Sequence, residues 1–280
     1  MTISGRLSGV MAGGAAVLTV LALAAAPAVA DDFRIESKVF ANGEAKAVRE
    51  NLTLFHRGIV YDYASNPLEI TVLDPEPSRA RFILLNPARQ QKLEIKLSKI
   101  EQLINDVRKA GKDIGPDKPF MKFVFDPKFS QDYDAAKKSL LLDSPWMEYK
   151  LSTAAAPTPL ANDQYRQFSD WFAQLNAITS PTAMPPFARL QVNALLHQNG
   201  QVPADVKLTL KGIAPKGKDM IFTSQHQVMW KLLEADMVRI QKTDDMFVKF
   251  TAMPPEEYFK EDAPAPTTAE NTKPNAPVKK

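Results

Sequence analysis

The stretch between residues 48 and 97 alternates apolar and polar side chains through several consecutive segments, as at Leu68, Ile70 and Val72. Residues with a high turn propensity, such as those at 65–67, separate these segments. Successive side chains of a β-strand point to opposite sides, so a period of two gives a strand one apolar face. The stretch therefore predicts four or five consecutive antiparallel strands whose apolar face is buried, while the opposite face meets water or a second layer.

Strands and helices are also predicted on either side of this stretch. Residues 33–40 alternate in the same way and are followed by Asn42-Gly43, a strong hairpin signal. Ser98 and Glu101 form a capping box that begins an amphipathic helix, which Gly111 ends. The same reasoning predicts strands over 120–125, 140–142, 146–151, 206–213 and 220–230, and helices over 163–177, capped by Asn162, and 187–198. The segment 232–242 fits both patterns, and its spacing favours a helix.

Both ends of the chain differ in composition from the middle. Arg6, an apolar run at 10–26 and the small residues at 28–30 are typical of a secretory signal peptide cleaved after Ala30, the alternative being an uncleaved membrane anchor. Residues 261–280 are mostly Pro, Ala, Thr and Lys, which predicts a disordered tail.

One folded domain is predicted between the two ends, at 31–260. The leader predicts a periplasmic or secreted location for the mature protein. No second apolar run of membrane-spanning length follows it, so no stable membrane span is expected after cleavage. About ten strands and a few helices make this an α+β domain, in which helices cover one face of an antiparallel sheet.

No residue pattern for catalysis is present. His56, His197 and His226 lack ligands at metal-binding spacing, and each is interpreted as a surface or structural histidine. Asp62 and Asp74 lie on neighbouring predicted strands, but Asp62 alternates out of the apolar face and Asp74 begins an ordinary turn. The chain has no cysteine, and its net charge of +3 shows no excess of the kind that binds nucleic acid. We therefore expect a non-enzymatic protein without a metal or cofactor.

Aromatic and aliphatic side chains face the predicted interior in large numbers. They are explained equally by a filled core and by the lining of an apolar cavity that the sheet and helices leave open. The residues predicted to line such a cavity are Leu54, Tyr61, Ile70, Phe82, Leu84, Phe123 and Phe125.

The segment GIVYDYASNPLEITVLDPEPSRARFILLNPARQQKLEI (58–95) resembles the central strands of the LolA/LolB-like periplasmic lipoprotein carriers. The resemblance covers about residues 33–110. It implies a curved antiparallel sheet forming an incomplete barrel, with helices as a lid over an apolar cavity that holds acyl chains. Extra helices in the second half do not align, and no functional residue of the family can be transferred.

Two functions follow as expectations. The first is a carrier or binding protein for an acyl-chain or lipid-like ligand, including an acylated protein. The second is an envelope interaction module that has a filled core and uses its Pro-rich tail as a tether. A hydrolase is a distant third.

Overall fold

The computed structural model describes residues 31–65, 67–180 and 182–260. The predicted signal peptide at 1–30 and the predicted tail at 261–280 lie outside these residues. No helix within the described ranges combines the length and the apolar character needed to cross a membrane.

In these described ranges, twelve strands form one curved, open sheet, and six α-helices pack on it. The strands are β1 Phe33–Ala41, β2 Arg49–His56, β3 Ile59–Ser65, β4 Leu68–Asp74, β5 Arg81–Asn86, β6 Gln91–Lys96, β7 Ser130–Asp134, β8 Ser139–Asp143, β9 Met147–Ala155, β10 Gln201–Ala214, β11 Lys218–Met229 and β12 Thr251–Ala252. The helices are α1 Leu97–Lys112, α2 Pro119–Phe125, α3 Pro159–Thr179, α4 Phe187–Gln198, α5 Glu234–Lys249 and α6 Pro255–Tyr258.

The strand order is β12-β6-β5-β4-β3-β2-β1-β11-β10-β9-β8-β7. Every pair is antiparallel except the short β12–β6 pair. The predicted α+β fold with a curved antiparallel sheet is therefore confirmed, with twelve strands instead of about ten. Two runs of sequence-adjacent strands, β1–β6 and β7–β11, meet where β1 pairs with β11.

A two-residue turn sets the register at the centre of the sheet. Arg57 and Gly58 connect β2 to β3 with φ of 50° and 80°, the left-handed geometry that suits the twist of a tight hairpin. This turn places Thr53 directly opposite Asp62. Asn42 and Gly43 also have positive φ, but the connection they begin continues to Arg49.

Both faces of the sheet are covered around β2–β5. In β5 the four residues 82–85 are all buried, so neither face of this strand meets water. Phe82 packs in a core cluster with α1 and α3, whereas Ile83 packs in a second cluster with α5. The expectation that helices cover one face holds for α1–α4 but is wrong for α5, because these strands are apolar on both sides.

Buried polar contacts fix α5 to the sheet. Arg34 on β1 donates from Nη1 to both carboxylate oxygens of Asp236, at 3.0 and 3.1 Å. Asp236 also accepts the backbone N–H of Leu233 at 2.8 Å, at the start of the helix. Further along α5, the hydroxyl groups of Tyr63 and Thr243 lie 2.9 Å apart.

The predicted strand at 120–125 is wrong, since this segment forms α2. Pro119 occupies the first turn of the helix, where its missing N–H leaves no hydrogen bond unmade. Phe123 and Val124 are buried from this helix. The apolar run is too short for its periodicity to separate a strand from a helix.

Helix ends also differ from the predictions. α1 begins at Leu97 without a side-chain cap, so the expected capping box of Ser98 is absent. The hydroxyl of Thr158 accepts the N–H of Ala161 and begins α3 in place of Asn162. The predicted helix at 187–198 matches α4, and the helix favoured for 232–242 is α5, shifted towards the C-terminus.

Candidate ligand-binding cavity

A cavity of about 450 Å³ lies between the sheet and the pair of helices α3 and α4. Strands β1, β2, β3, β9 and β11 form its floor, and the connection between the two helices contributes residues 183–186. The cavity is located where the two runs of sequence-adjacent strands join. Its volume falls within the roughly 300–1,000 Å³ of small-molecule pockets.

The wall formed by the helices is mainly apolar. Phe168, Phe172 and Ala173 of α3 contribute to it, and Met184 lies in the connection that follows. The spacing of the three α3 residues places them along one side of the helix. The rings of Phe168 and Phe172 are 5.1 Å apart, so this wall presents an aromatic surface to the cavity.

A row of polar side chains crosses the floor. Register places His226 of β11 beside Ser37 of β1, Ser37 beside Asn51 of β2, and Thr53 beside Asp62 of β3. All five side chains line the cavity. The floor therefore offers hydrogen-bonding groups opposite an apolar wall.

Asp62 is the most buried group of this row, with 3 % of its surface exposed. Its two carboxylate oxygens accept hydrogen bonds of 2.6 Å from Asn51 Nδ2 and from Thr53 Oγ1. Burial raises the pKa of Asp62, although both hydrogen bonds and the charge of Arg49 act in the opposite direction. Asp62 is thus held by its strand neighbours within the floor.

His226 has a hydroxyl neighbour at each ring nitrogen. Its Nδ1 lies 2.8 Å from Ser37 Oγ, and its Nε2 lies 2.9 Å from Ser224 Oγ. Burial lowers the pKa of His226 to about 4, and the nearby charge of Arg189 contributes to this shift. The imidazole is therefore neutral at neutral pH.

Arg189 brings a positive charge to the cavity from α4. Among the described residues it forms no salt bridge. Its neighbours include the buried tyrosines Tyr149 and Tyr165, whose pKa values are raised by burial and lowered in part by Arg189. A guanidinium that faces an apolar cavity without a carboxylate partner favours an anionic group on a ligand.

No protein-family model matches this sequence, and no curated protein matches it at a significant level. The functional assignment therefore depends on the geometry of the cavity.

The seven residues predicted to line a cavity are distributed over three parts of the molecule. Leu54, Tyr61 and Ile70 belong to the cluster beneath α5, on the opposite face of the sheet. The other four belong to two different clusters: Phe82 and Leu84 pack with α1 and α3, Phe125 packs against the same cluster, and Phe123 packs with α4. None of the seven lines the cavity described above.

The polar floor was missed because its residues are separated along the sequence. The sequence alone places Asp62 off the apolar face and makes His226 a surface or structural histidine, and the contact between Ser37 and His226 spans 189 residues. One local signal was available. The turn at Arg57-Gly58 pairs Thr53 with Asp62, so the register of this hairpin predicts their contact.

The polar groups on the floor hydrogen-bond one another. Both oxygens of Asp62 accept hydrogen bonds, and both ring nitrogens of His226 have hydroxyl neighbours. These hydrogen bonds fix the side chains of the floor relative to one another. Arg189, which hydrogen-bonds Tyr165, and the apolar wall complete the lining of the cavity.

Proposed function

We propose that this protein is a non-enzymatic binding or carrier protein for an amphipathic ligand with an acyl-chain-like body. The cavity of about 450 Å³ beneath α3 and α4 carries this proposal. Phe168 and Phe172 provide apolar contact area, and burial of a hydrocarbon chain against such rings contributes roughly 25 cal/mol per Å². Free lipids and the lipid chains of acylated proteins share this chemistry.

The polar end of the ligand is placed near Arg189 in this proposal. A carboxylate or phosphate would receive charge-assisted hydrogen bonds from the guanidinium. Arg189 hydrogen-bonds Tyr165, and its charge partly offsets the rise that burial causes in the pKa values of Tyr149 and Tyr165. The ligand would therefore be an anionic amphiphile in preference to a neutral hydrocarbon.

A filling substitution tests whether the cavity holds the ligand. Ala173→Trp places an indole in the cavity, and Gln167→Trp is the matched control on the exposed side of the same helix. With a fluorescent fatty acid as the probe, we expect saturable binding to the wild type and to Gln167→Trp. The affinity of Ala173→Trp should be lower by about tenfold or more, or about 1.4 kcal/mol.

A second pair of measurements tests the role of the charge. Arg189→Gln should weaken binding of a long-chain carboxylate by about tenfold, as expected for a lost charge-assisted bond, and should leave binding of the matching long-chain alcohol unchanged. If the wild type takes up neither compound, the carrier function is refuted and the interaction module is favoured. If Ala173→Trp binds as the wild type does, the ligand lies elsewhere.

Export is the remaining part of the proposal. The leader-like composition of residues 1–30 supports a periplasmic or secreted location. N-terminal sequencing of the protein recovered from the extracytoplasmic fraction should begin at Asp31. An intact N-terminus in the cytoplasmic fraction would contradict it.

A further inference from the structure

A second surface combines exposed apolar side chains with positive charge. It consists of α2, the C-terminal end of α1 and the turn between β8 and β9, and we call it the α2 surface. Met121 on α2 is 41 % exposed. The ring of Phe120 packs edge-on against Trp146 from the β8–β9 turn at 6.0 Å, and both rings are only partly buried. Pro145, next to Trp146, is exposed.

Basic residues are concentrated around these apolar side chains. The segment 108–128 contains six Lys or Arg residues and three Asp residues. Lys112, Lys118 and Lys122 are exposed and form no salt bridge within the described part of the chain. Their ammonium groups are therefore available to a partner that carries negative charge.

A depression of about 730 Å³ lies in the same surface. Its lining includes Lys112, Lys122 and Lys128, and among the described residues Asp126 is the one carboxylate that lines it. The guanidinium of Arg108, which also lines it, is 4.2 Å from the centre of the Phe187 ring. The charge of the depression is therefore predominantly positive, and its base is aromatic.

The backbone holds this surface in place. Gly111 near the end of α1 approaches Phe125 of α2 so closely that an added Cβ would lie 2.7 Å from the Phe125 Cβ. This contact fixes α2 against α1. The exposed side chains of α2 are thus presented on a supported helix.

Exposed Met, Phe and Trp side chains among lysines match the chemistry of a membrane interface. Aromatic rings and aliphatic side chains enter the boundary between headgroups and acyl chains, while lysines extend to the phosphates. An anionic lipid surface attracts each lysine near it by an amount equivalent to about fivefold in partitioning. Nucleic acid would use the lysines but would leave the apolar side chains without a role.

We propose that the α2 surface docks this protein reversibly on membranes that contain anionic phospholipids. Met121, Phe120 and Trp146 enter the interface, and Lys112, Lys118 and Lys122 contact the headgroups. This docking extends beyond the proposed ligand and does not depend on the cavity. A carrier of acyl chains would gain from it, because ligand exchange takes place at a lipid surface.

Vesicle sedimentation tests the proposal with the mature protein. The probes are vesicles of phosphatidylcholine alone and vesicles with about 30 % phosphatidylglycerol, at low and high salt. We expect binding to the anionic vesicles only, weakened by salt as surface charges are screened. Lys118→Glu/Lys122→Glu should reduce partitioning by at least about twentyfold.

Two further variants distinguish docking through the α2 surface from an effect of net charge, and a check of folding accompanies them. Lys207→Glu/Lys216→Glu makes the same change in net charge at exposed lysines elsewhere and should bind as the wild type does. Met121→Ser keeps every charge but should weaken binding. In a Trp171→Phe/Trp230→Phe background, in which Trp146 is the one tryptophan left, the emission should shift to the blue only with anionic vesicles. All variants should keep the circular dichroism and melting temperature of the wild type.

Three results would overturn the proposal. They are equal binding to both kinds of vesicle, an equal loss in the Lys207/Lys216 variant, and binding to polyanions without binding to vesicles. The last result would indicate an acidic macromolecule as the partner. Because none of these variants alters the cavity, failure here leaves fatty-acid binding intact, and the two proposals are refuted separately.

Discussion

Acid should destabilise this protein through His226. Its pKa is lowered from 6.5 to about 4, first because burial disfavours the imidazolium and then because Arg189 on α4 repels it, while Asp205 on β10 acts in the opposite direction. In the unfolded chain the imidazole titrates near its ordinary value of about 6.5. Between these two values the unfolded state binds more protons than the folded state. The stabilisation is therefore complete above about pH 6.5 and is lost as the pH falls towards about 4.

The size of the loss follows from the two pKa values of His226. Each difference of one in pKa corresponds to about 1.4 kcal/mol, so complete titration would cost roughly 3 kcal/mol. For a change from about pH 7.5 to pH 5, the same two pKa values give a loss of about 2 kcal/mol in the free energy of unfolding. This figure is an upper limit, because the imidazole is partly open to the cavity.

Urea unfolding of the wild type and His226→Gln isolates this contribution. Glutamine is neutral throughout and can hydrogen-bond the hydroxyls of Ser37 and Ser224, and the other titrating groups are common to both proteins. From about pH 7.5 to pH 5 the wild type should lose about 2 kcal/mol more free energy of unfolding than the variant. A difference between the proteins that stays constant with pH would refute the reasoning. So would an NMR titration in which His226 is already protonated at about pH 5.5.

Two further substitutions test the contacts that support the fold. Arg34 pairs with two carboxylates, those of Asp236 and Glu36, and only Asp236 is buried. Asp236→Asn removes the buried charge and should lower the free energy of unfolding by about 2–3 kcal/mol, measured by urea denaturation against Asp245→Asn on the exposed side of α5 as a control. Gly111→Ala should cost about 1–3 kcal/mol, because its Cβ would collide with Phe125. That cost should be smaller when the same change is made in a Phe125→Gly background, which removes every Phe125 side-chain atom near the added Cβ, and an equal cost in both backgrounds would contradict the collision.

Local sequence patterns were sufficient for most of the strands. Alternation is a property of adjacent residues, and short turns such as Arg57-Gly58 join consecutive strands into hairpins. The same pattern did not reveal how many layers cover the sheet. Phe82 and Ile83 are both buried, and they point to opposite faces of the sheet. The sequence did not show that the second face is covered, because the helix that covers it, α5, is more than 140 residues further along the chain.

The α2 segment shows a different reason for failure. Residues 120–125 contain three Phe and one Val, which favour a strand, and no local rule outweighs that preference in so short a run. Pro119 was the available signal, since proline is common at the first position of a helix. What stabilises the helix is tertiary: Phe123 is buried beneath it, and Gly111 allows Phe125 to approach α1.

The residues that line the cavity could not be predicted for a topological reason. Within each of the two runs, β1–β6 and β7–β11, every strand pairs with the next strand along the chain. Only β9 and β10 of these runs are separated by α-helices, α3 and α4, within the described residues. The pairing of β1 with β11 joins the runs and brings Ser37 beside His226. The polar row and the helix wall meet at this seam, where neither run determines the geometry alone. A ligand held there contacts both runs, so its binding free energy would stabilise the joint on which the cavity depends.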